Sequence, residues 1–202
     1  MSGPNQRDAA LSSLEEAVGE GRADPEVLPL LTLINSHDEY ATTSSCAGRI
    51  QLIEVPKVGD KQGSIVHGKW HGPVSAEEVT RAIPHRTDGL FLMAQPLLVH
   101  VRCRDLPSAV LLWRSAHEAG LKYTTFRSIQ LDQDRAPSEW GTTVEIQGTE
   151  RMEVPLSGIP PDVLGRCLTE WVRHANDLLN RTRARMSSLM DLLGGTLGQN
   201  KE

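Results

Sequence analysis

The chain has 202 residues, 39% hydrophobic and only 4% aromatic, with a formal net charge of −5. That length can bury a core, as one domain or two small ones, and the acidic balance argues against indiscriminate nucleic-acid binding while leaving room for a local basic surface. No apolar run approaches the ~20 residues of a bilayer span, and three widely spaced cysteines, Cys46, Cys103 and Cys167, argue against a disulfide scaffold or a structural metal site.

Residues 1–22 read as a short polar helix, with Leu11, Leu14 and Val18 at helical spacing and Gly19 and Gly21 as its stop. Residues 1–16 hold no apolar signal core, which points to a cytoplasmic protein. Asp24 is placed to cap a second, densely apolar helix with Pro25 at its first position. A loop containing Asn35 and Asp38 follows. Strands are predicted over 50–55 and 64–70 around a turn at 58–63, and Ser75 to Glu78 forms a capping box that opens a helix over 76–84. Strands at 90–94 and 97–102 flank Pro96, and Asp105 opens a helix that Gly120 stops. The rest reads as strands over 123–131, 142–146 and 152–156, with a turn at 132–138, and then a long helix over 161–194 ended by Gly194 and Gly195. Its seam is Leu164, Leu168, Trp171, Ala175, Leu178, Thr182, Met186, Leu189 and Leu193. It also carries Arg166, Arg173, Arg181, Arg183 and Arg185, either a basic footprint for RNA or a solvated face balanced by acids.

Residues 40–50 stand apart. Thr42, Thr43, Ser44 and Ser45 put four hydroxyls in a row, followed by Cys46, Ala47, Gly48 and Arg49. Hydroxyls donate and accept, glycine lets a backbone approach closely, and a guanidinium fork suits phosphate or carboxylate. The same residues also compose an ordinary Ser/Thr-rich turn entering a strand. No Gly-x-Gly-x-x-Gly follows a predicted strand, so a Rossmann dinucleotide site is not visible.

Three blocks, in order, resemble the wybutosine-synthesising tRNA methyltransferases, the tRNA-Phe 7-(3-amino-3-carboxypropyl)-4-demethylwyosine N(4)-methyltransferases. The first is Ile34, Asn35, Asp38 and residues 42–50. The second is residues 95–101 with Cys103, Arg104, Leu106, Ala109, Leu112, Ala116 and Gly120. The third is Glu153, Val154, Pro155 and Leu156. The resemblance implies an α+β fold, one domain over 1–202, in which two β/α units form a single barrel-like, largely antiparallel sheet with flanking helices. It implies S-adenosylmethionine as cofactor and the tRNA-Phe anticodon loop as partner, with no membrane, metal or obligate protein partner. Two positions depart from the family pattern: Ser75 stands where a histidine is frequent, with the nearer His71 as the alternative replacement, and Thr124-Thr125 stand where Ser-Gly is.

On this resemblance Asp38 and His100 are candidates for the base that takes the acceptor's proton. Asp38 otherwise caps a turn, and His100 is otherwise a half-buried strand histidine. Thr43, Ser44, Ser45, Arg49, Trp70 and Arg104 are candidate substrate or cofactor contacts, with Trp70 either stacking on a base or sitting in the core. Asp38, Thr43, Ser44, Ser45, Arg49 and His100 are expected to line one cleft. Two other readings stand beside the enzyme: a non-catalytic RNA or small-ligand module of the same fold, and a hydrolase using Cys46 or Ser45, for which the sequence offers no base and acid partner.

Overall fold

The computed structural model describes residues 6–21, 23–56, 63–129 and 141–198. The element order is α1 (Gln6–Gly19), a short 3-10 turn (Pro25–Val27), α2 (Leu28–Asn35), β1 (Tyr40–Cys46), β2 (Arg49–Glu54), β3 (Ile65–Trp70), α3 (Ala76–Ala82), β4 (Leu90–Gln95), β5 (Leu98–Cys103), α4 (Leu106–Glu118), β6 (Thr125–Ser128), β7 (Thr142–Gln147), β8 (Met152–Pro155) and α5 (Pro161–Gly198). The turn expected at 58–63 and that at 132–138 lie almost wholly and wholly outside the described residues.

The α+β class holds, but a single barrel-like sheet does not form. The described strands make two four-stranded antiparallel sheets, ordered β1-β5-β7-β6 and β3-β2-β4-β8. Closing a barrel requires the edge strands to pair, and among the described residues no ladder joins β1 or β6 to β3 or β8. Contacts divide the chain into two compact units. The first is Met1–Ala47, Leu97–Thr149 and Ala184–Glu202, and the second is Gly48–Pro96 and Glu150–Arg183. Chain neighbours such as β1 and β2, or β4 and β5, therefore belong to different sheets.

The first unit packs α2, α4 and the end of α5 on one face of its sheet. Leu30, Leu31 and Ile34 meet Val99 and Val101 of β5, Leu112 and Ala116 of α4, Val144 and Ile146 of β7, and Leu189 and Leu193 of α5. The alternation in β5 and β7 puts these residues inside and His100, Arg102 and Glu145 on the other face. Asp105 starts α4 by accepting from the Ser108 amide (2.8 Å) and hydroxyl (2.6 Å). Burial pushes its carboxyl up, but the Ser108 bonds and the Arg104 charge outweigh this and hold it below the usual range. Asp24, expected as a helix cap, makes no side-chain cap bond; its carboxylate accepts from the Ala47 amide at 3.0 Å and ties down the exit of β1.

The second unit buries Ile50 and Leu52 of β2, Leu90 and Leu92 of β4, and Val79 of α3 against Leu168, Val172, Ala175 and Leu179 of α5. The capping box is present: Ser75 Oγ accepts from the Glu78 amide at 3.2 Å and the Glu78 carboxylate from the Ser75 amide at 2.9 Å. Ser75, one of the two departures from the family pattern, is thus a helix cap. Asn176 clasps Val74 through both backbone groups (3.0 and 2.8 Å), and Arg183 donates to the carbonyls of His71 (2.8 Å) and Gly48 (3.4 Å).

In α5 the buried seam runs through Val172 and Leu179, with Trp171 and Leu178 only partly buried beside it. The helix also continues through Gly194 and Gly195 to Gly198, because neither glycine takes the positive φ of a C-terminal stop. Its arginines are largely spent within the chain. Arg166 pairs with Asp162, Arg173 with Glu170 and Asp177, and Arg185 donates to Thr149 Oγ1 at 2.9 Å.

Candidate active site

The hydroxyl row is a strand. Residues 40–46 form β1, the edge strand beside β5, rather than a turn entering the next strand. Thr42 lies opposite Val101 and Ser44 opposite His100, so Thr43 is the extra residue of a β-bulge. A regular strand would turn one of two successive side chains inward, whereas the bulge leaves both Thr43 and Ser44 exposed and sends Thr42 into the core. Asn35 fixes the entry to this bulge: its side-chain oxygen accepts from the Thr42 amide (2.9 Å) and its nitrogen donates to Thr42 Oγ1 (2.8 Å).

On the face of the sheet away from the core, three register partners on adjacent strands are hydrogen-bonded in sequence. Ser44 Oγ lies 2.7 Å from His100 Nδ1, and His100 Nε2 lies 2.7 Å from Glu145 Oε2. Arg127 on β6 donates through Nη1 to the same Glu145 oxygen at 2.7 Å. Burial pushes the Glu145 carboxyl up, but the hydrogen bonds from His100 and Arg127 and their charges prevail and hold it below the ordinary carboxylate range. An ionised Glu145 only accepts, so His100 Nε2 carries the proton facing it. The 3.1 Å approach of Arg127 Nη1 to Nε2 is then two donors converging on one oxygen. In the neutral ring Nδ1 is left as an acceptor, and the Ser44 hydroxyl donates to it.

The other expected residues fall elsewhere. Asp38 is almost fully exposed (87%) on the turn between α2 and β1 and lies 3.3 Å from Arg7. It lines a cavity of about 520 Å³ with Ser36, Glu39, Tyr40, Arg104 and Asp105. There Arg104 pairs with Glu39 at 3.3 Å and Asp105 at 3.5 Å. Thr43, Ser44 and Ser45 line a smaller cavity of about 230 Å³ beside α1. His100 lines neither, so within the first unit the expected residues separate into distinct groups, and only Thr43, Ser44 and His100 are joined by hydrogen bonds.

Arg49 and Trp70 belong to the second unit. Arg49 is half-buried, donates through Nε to Gln95 Oε1 at 3.0 Å, and makes no ion pair among the described residues. The Trp70 ring covers Gly68 of its own strand and packs against the second core. Thr124, at the other departure from the family pattern, is buried and closes α4 onto β7, donating to the Leu121 carbonyl and accepting from the Gln147 amide. Glu145 and Arg127 escaped the sequence reading. Glu145 stands in plain alternation on a strand, and only register with β5 and β6 reveals its partners.

Among the described residues, no group of three His, Cys, Asp or Glu side chains is placed to hold a metal, and no helix is long and apolar enough to cross a membrane. Comparison with known proteins is consistent across sequence and fold. The family model described as Methyltransferase TYW3 matches residues 5–194. The tRNA(Phe) 7-((3-amino-3-carboxypropyl)-4-demethylwyosine(37)-N(4))-methyltransferase 1 of Pyrococcus horikoshii is 39% identical over 182 residues, 89% of each chain. Its namesake from Thermococcus kodakarensis is 40% identical over 152 residues, 75% of this chain and 73% of the relative. A solved structure of a Pyrococcus horikoshii protein superposes with a TM-score of 0.81 at 36% identity, covering 93% of both chains. With the match running nearly end to end, through the hydroxyl strand, β5 and the long helix alike, the chain belongs to the Methyltransferase TYW3 family.

Proposed function

We propose that this chain is an S-adenosylmethionine-dependent methyltransferase that methylates N(4) of the 7-aminocarboxypropyl-demethylwyosine precursor at position 37 of tRNA-Phe, engaging the anticodon loop in the cytoplasm. The observation that carries the reading is the family match over residues 5–194, with the named relatives 39% and 40% identical over most of the chain.

The residues present fit the donor. The cavity of about 520 Å³ is within the usual range for a small ligand. Asp38 and Glu39 suit an ammonium or ribose hydroxyls, and Arg104 suits a carboxylate. When bound, S-adenosylmethionine supplies an electrophilic methyl group. The chain's own task is to hold the acceptor in line and to take its proton.

His100 is the better base than Asp38. Its ring is held at both nitrogens by Ser44 and Glu145, whereas Asp38 is 87% exposed with a cation at 3.3 Å. Thr43 and Ser45 flank the acceptor through hydroxyls. Arg49, without a carboxylate partner among the described residues, suits a phosphate, and the half-buried Trp70 offers an aromatic edge to the RNA. The test is transfer of labelled methyl to precursor-bearing tRNA-Phe, with N(4) identified by mass spectrometry. Donor binding without transfer to that tRNA would sink the enzyme reading and leave a binding module of the same fold.

A further inference from the structure

Resting on that functional reading, we propose that Ser44, His100 and Glu145 form a proton relay: Ser44 removes the acceptor's proton, His100 receives it through Ser44, and Glu145, clamped by Arg127, sets the tautomer of His100 that makes this possible.

The first ground is that the three side chains sit on neighbouring strands in register, Ser44 opposite His100 and His100 opposite Glu145. Their spacing is set by the sheet ladder rather than by loops, which is the precision a proton path needs. The second ground is occupancy. Both ring nitrogens of His100 already have partners at 2.7 Å, so neither is left to face a ligand. Only the Ser44 oxygen, on an exposed residue, has free lone pairs toward a bound base. A base acting here acts through Ser44 or must first break that bond.

The third ground is the tautomer. Glu145 accepts from Nε2 and from Arg127 at one oxygen, which holds the proton on Nε2 and turns the Nδ1 lone pair to Ser44. The charged groups around the ring are Glu145 on β7 and Arg127 on β6, with Arg102 two residues along on the same face of β5; β1 contributes the uncharged Ser44. Glu145 and Arg127 are therefore positioning residues.

The step balances. The proton on N(4) passes to Ser44 Oγ as the Ser44 proton passes to His100 Nδ1. The electron pair released on N(4) forms the new bond to the methyl carbon, and the pair of the broken S–C bond stays on the donor sulfur. Ser44 ends neutral, and His100 ends as an imidazolium against ionised Glu145, to be discharged to solvent.

Two measurements test this on the full chain. The first is ¹⁵N NMR of histidine-labelled protein. Wild type is expected to show His100 protonated at Nε2 and bare at Nδ1, and Glu145→Gln, whose amide can present either oxygen or nitrogen, is expected to show a mixture. A wild-type ring protonated at Nδ1 alone would overturn the relay without touching the methyltransferase reading. The second is single-turnover methylation. Ser44→Ala is expected to slow transfer by about a hundredfold, the range for losing a proton-transfer group, with S-adenosylmethionine affinity unchanged, and Ser44→Thr is expected to recover most of the loss. Glu145→Gln is expected to cost about tenfold, because part of the population then holds the wrong tautomer of His100. Full activity in Ser44→Ala with collapse in His100→Ala would make His100 act directly and end the relay. No transfer by wild type would overturn the functional reading, and the relay with it.

Discussion

Each sheet holds a histidine against a glutamate. In the first, His100 Nε2 meets Glu145 at 2.7 Å; in the second, His67 Nε2 meets Glu54 at 2.9 Å. Burial does not separate them, since the side chains are 19% and 21% exposed in one pair and 20% and 31% in the other. The surroundings do. His100 has Ser44 on its second nitrogen, and Glu145 has Arg127; among the described residues, His67 has no protein partner for Nδ1 and Glu54 has no Lys or Arg partner. Both edge strands are bulged, but in β1 the extra residue is Thr43, leaving Ser44 in register with its histidine, whereas in β3 the irregularity falls at His67 itself. A His–Glu pair is thus a common packing solution. On the proposed relay, what sets the first pair apart is Ser44, the third group from which the ring can take a proton.

The sharpest way to break the comparison is to remove each imidazole. His100→Ala is expected to slow single-turnover methylation by at least about a hundredfold, the range for losing a general base. His67→Ala is expected to leave it within about twofold. Equal losses would mean that the two pairs do the same job.

The next effect is on folding and belongs to the second unit. A Cβ at Gly68 would lie 2.2 Å from the Trp70 ring. Gly68→Ala must displace the indole and is expected to cost about 1–3 kcal/mol, the range for overpacking, read in denaturant melts. A neutral result would mean that the ring moves aside freely.

Donor binding comes third. Arg104→Ala is expected to weaken S-adenosylmethionine by about tenfold in calorimetry, the loss of one charge-assisted contact, whereas Arg49→Ala should leave donor affinity intact and weaken tRNA. The reverse pattern would exchange the two roles.

The smallest effect is a pH dependence. Glu145 is held below its ordinary value near 4.5, so its ionised form stabilises the fold. That contribution is complete above the unfolded value and is lost as pH falls through the lower folded one. The stability gap between wild type and Glu145→Gln, about 1 kcal/mol or less for a partly exposed pair, should therefore be present at pH 7 and vanish in acid. A gap that grows on acidification would contradict the sign.

Much of the molecule was open to a reading of its residues. The capping box at Ser75, the Asp105 start of α4 and the period of α5 are local, and local propensity decided them within a few residues. So were the family blocks, because their order along the chain needs no fold. The hydroxyl row was harder: four polar side chains without apolar alternation look like a turn, and only pairing with β5 makes them a strand. Tertiary structure alone decided that the strands sort into two sheets, that Asp24 serves Ala47 rather than a helix, and that Ser44, His100 and Glu145 meet. The physical reason is register. Residues 44, 100 and 145 are far apart in the chain, and a one-residue slip would turn a side chain to the other face, so their contact is a property of the ladder and not of any segment.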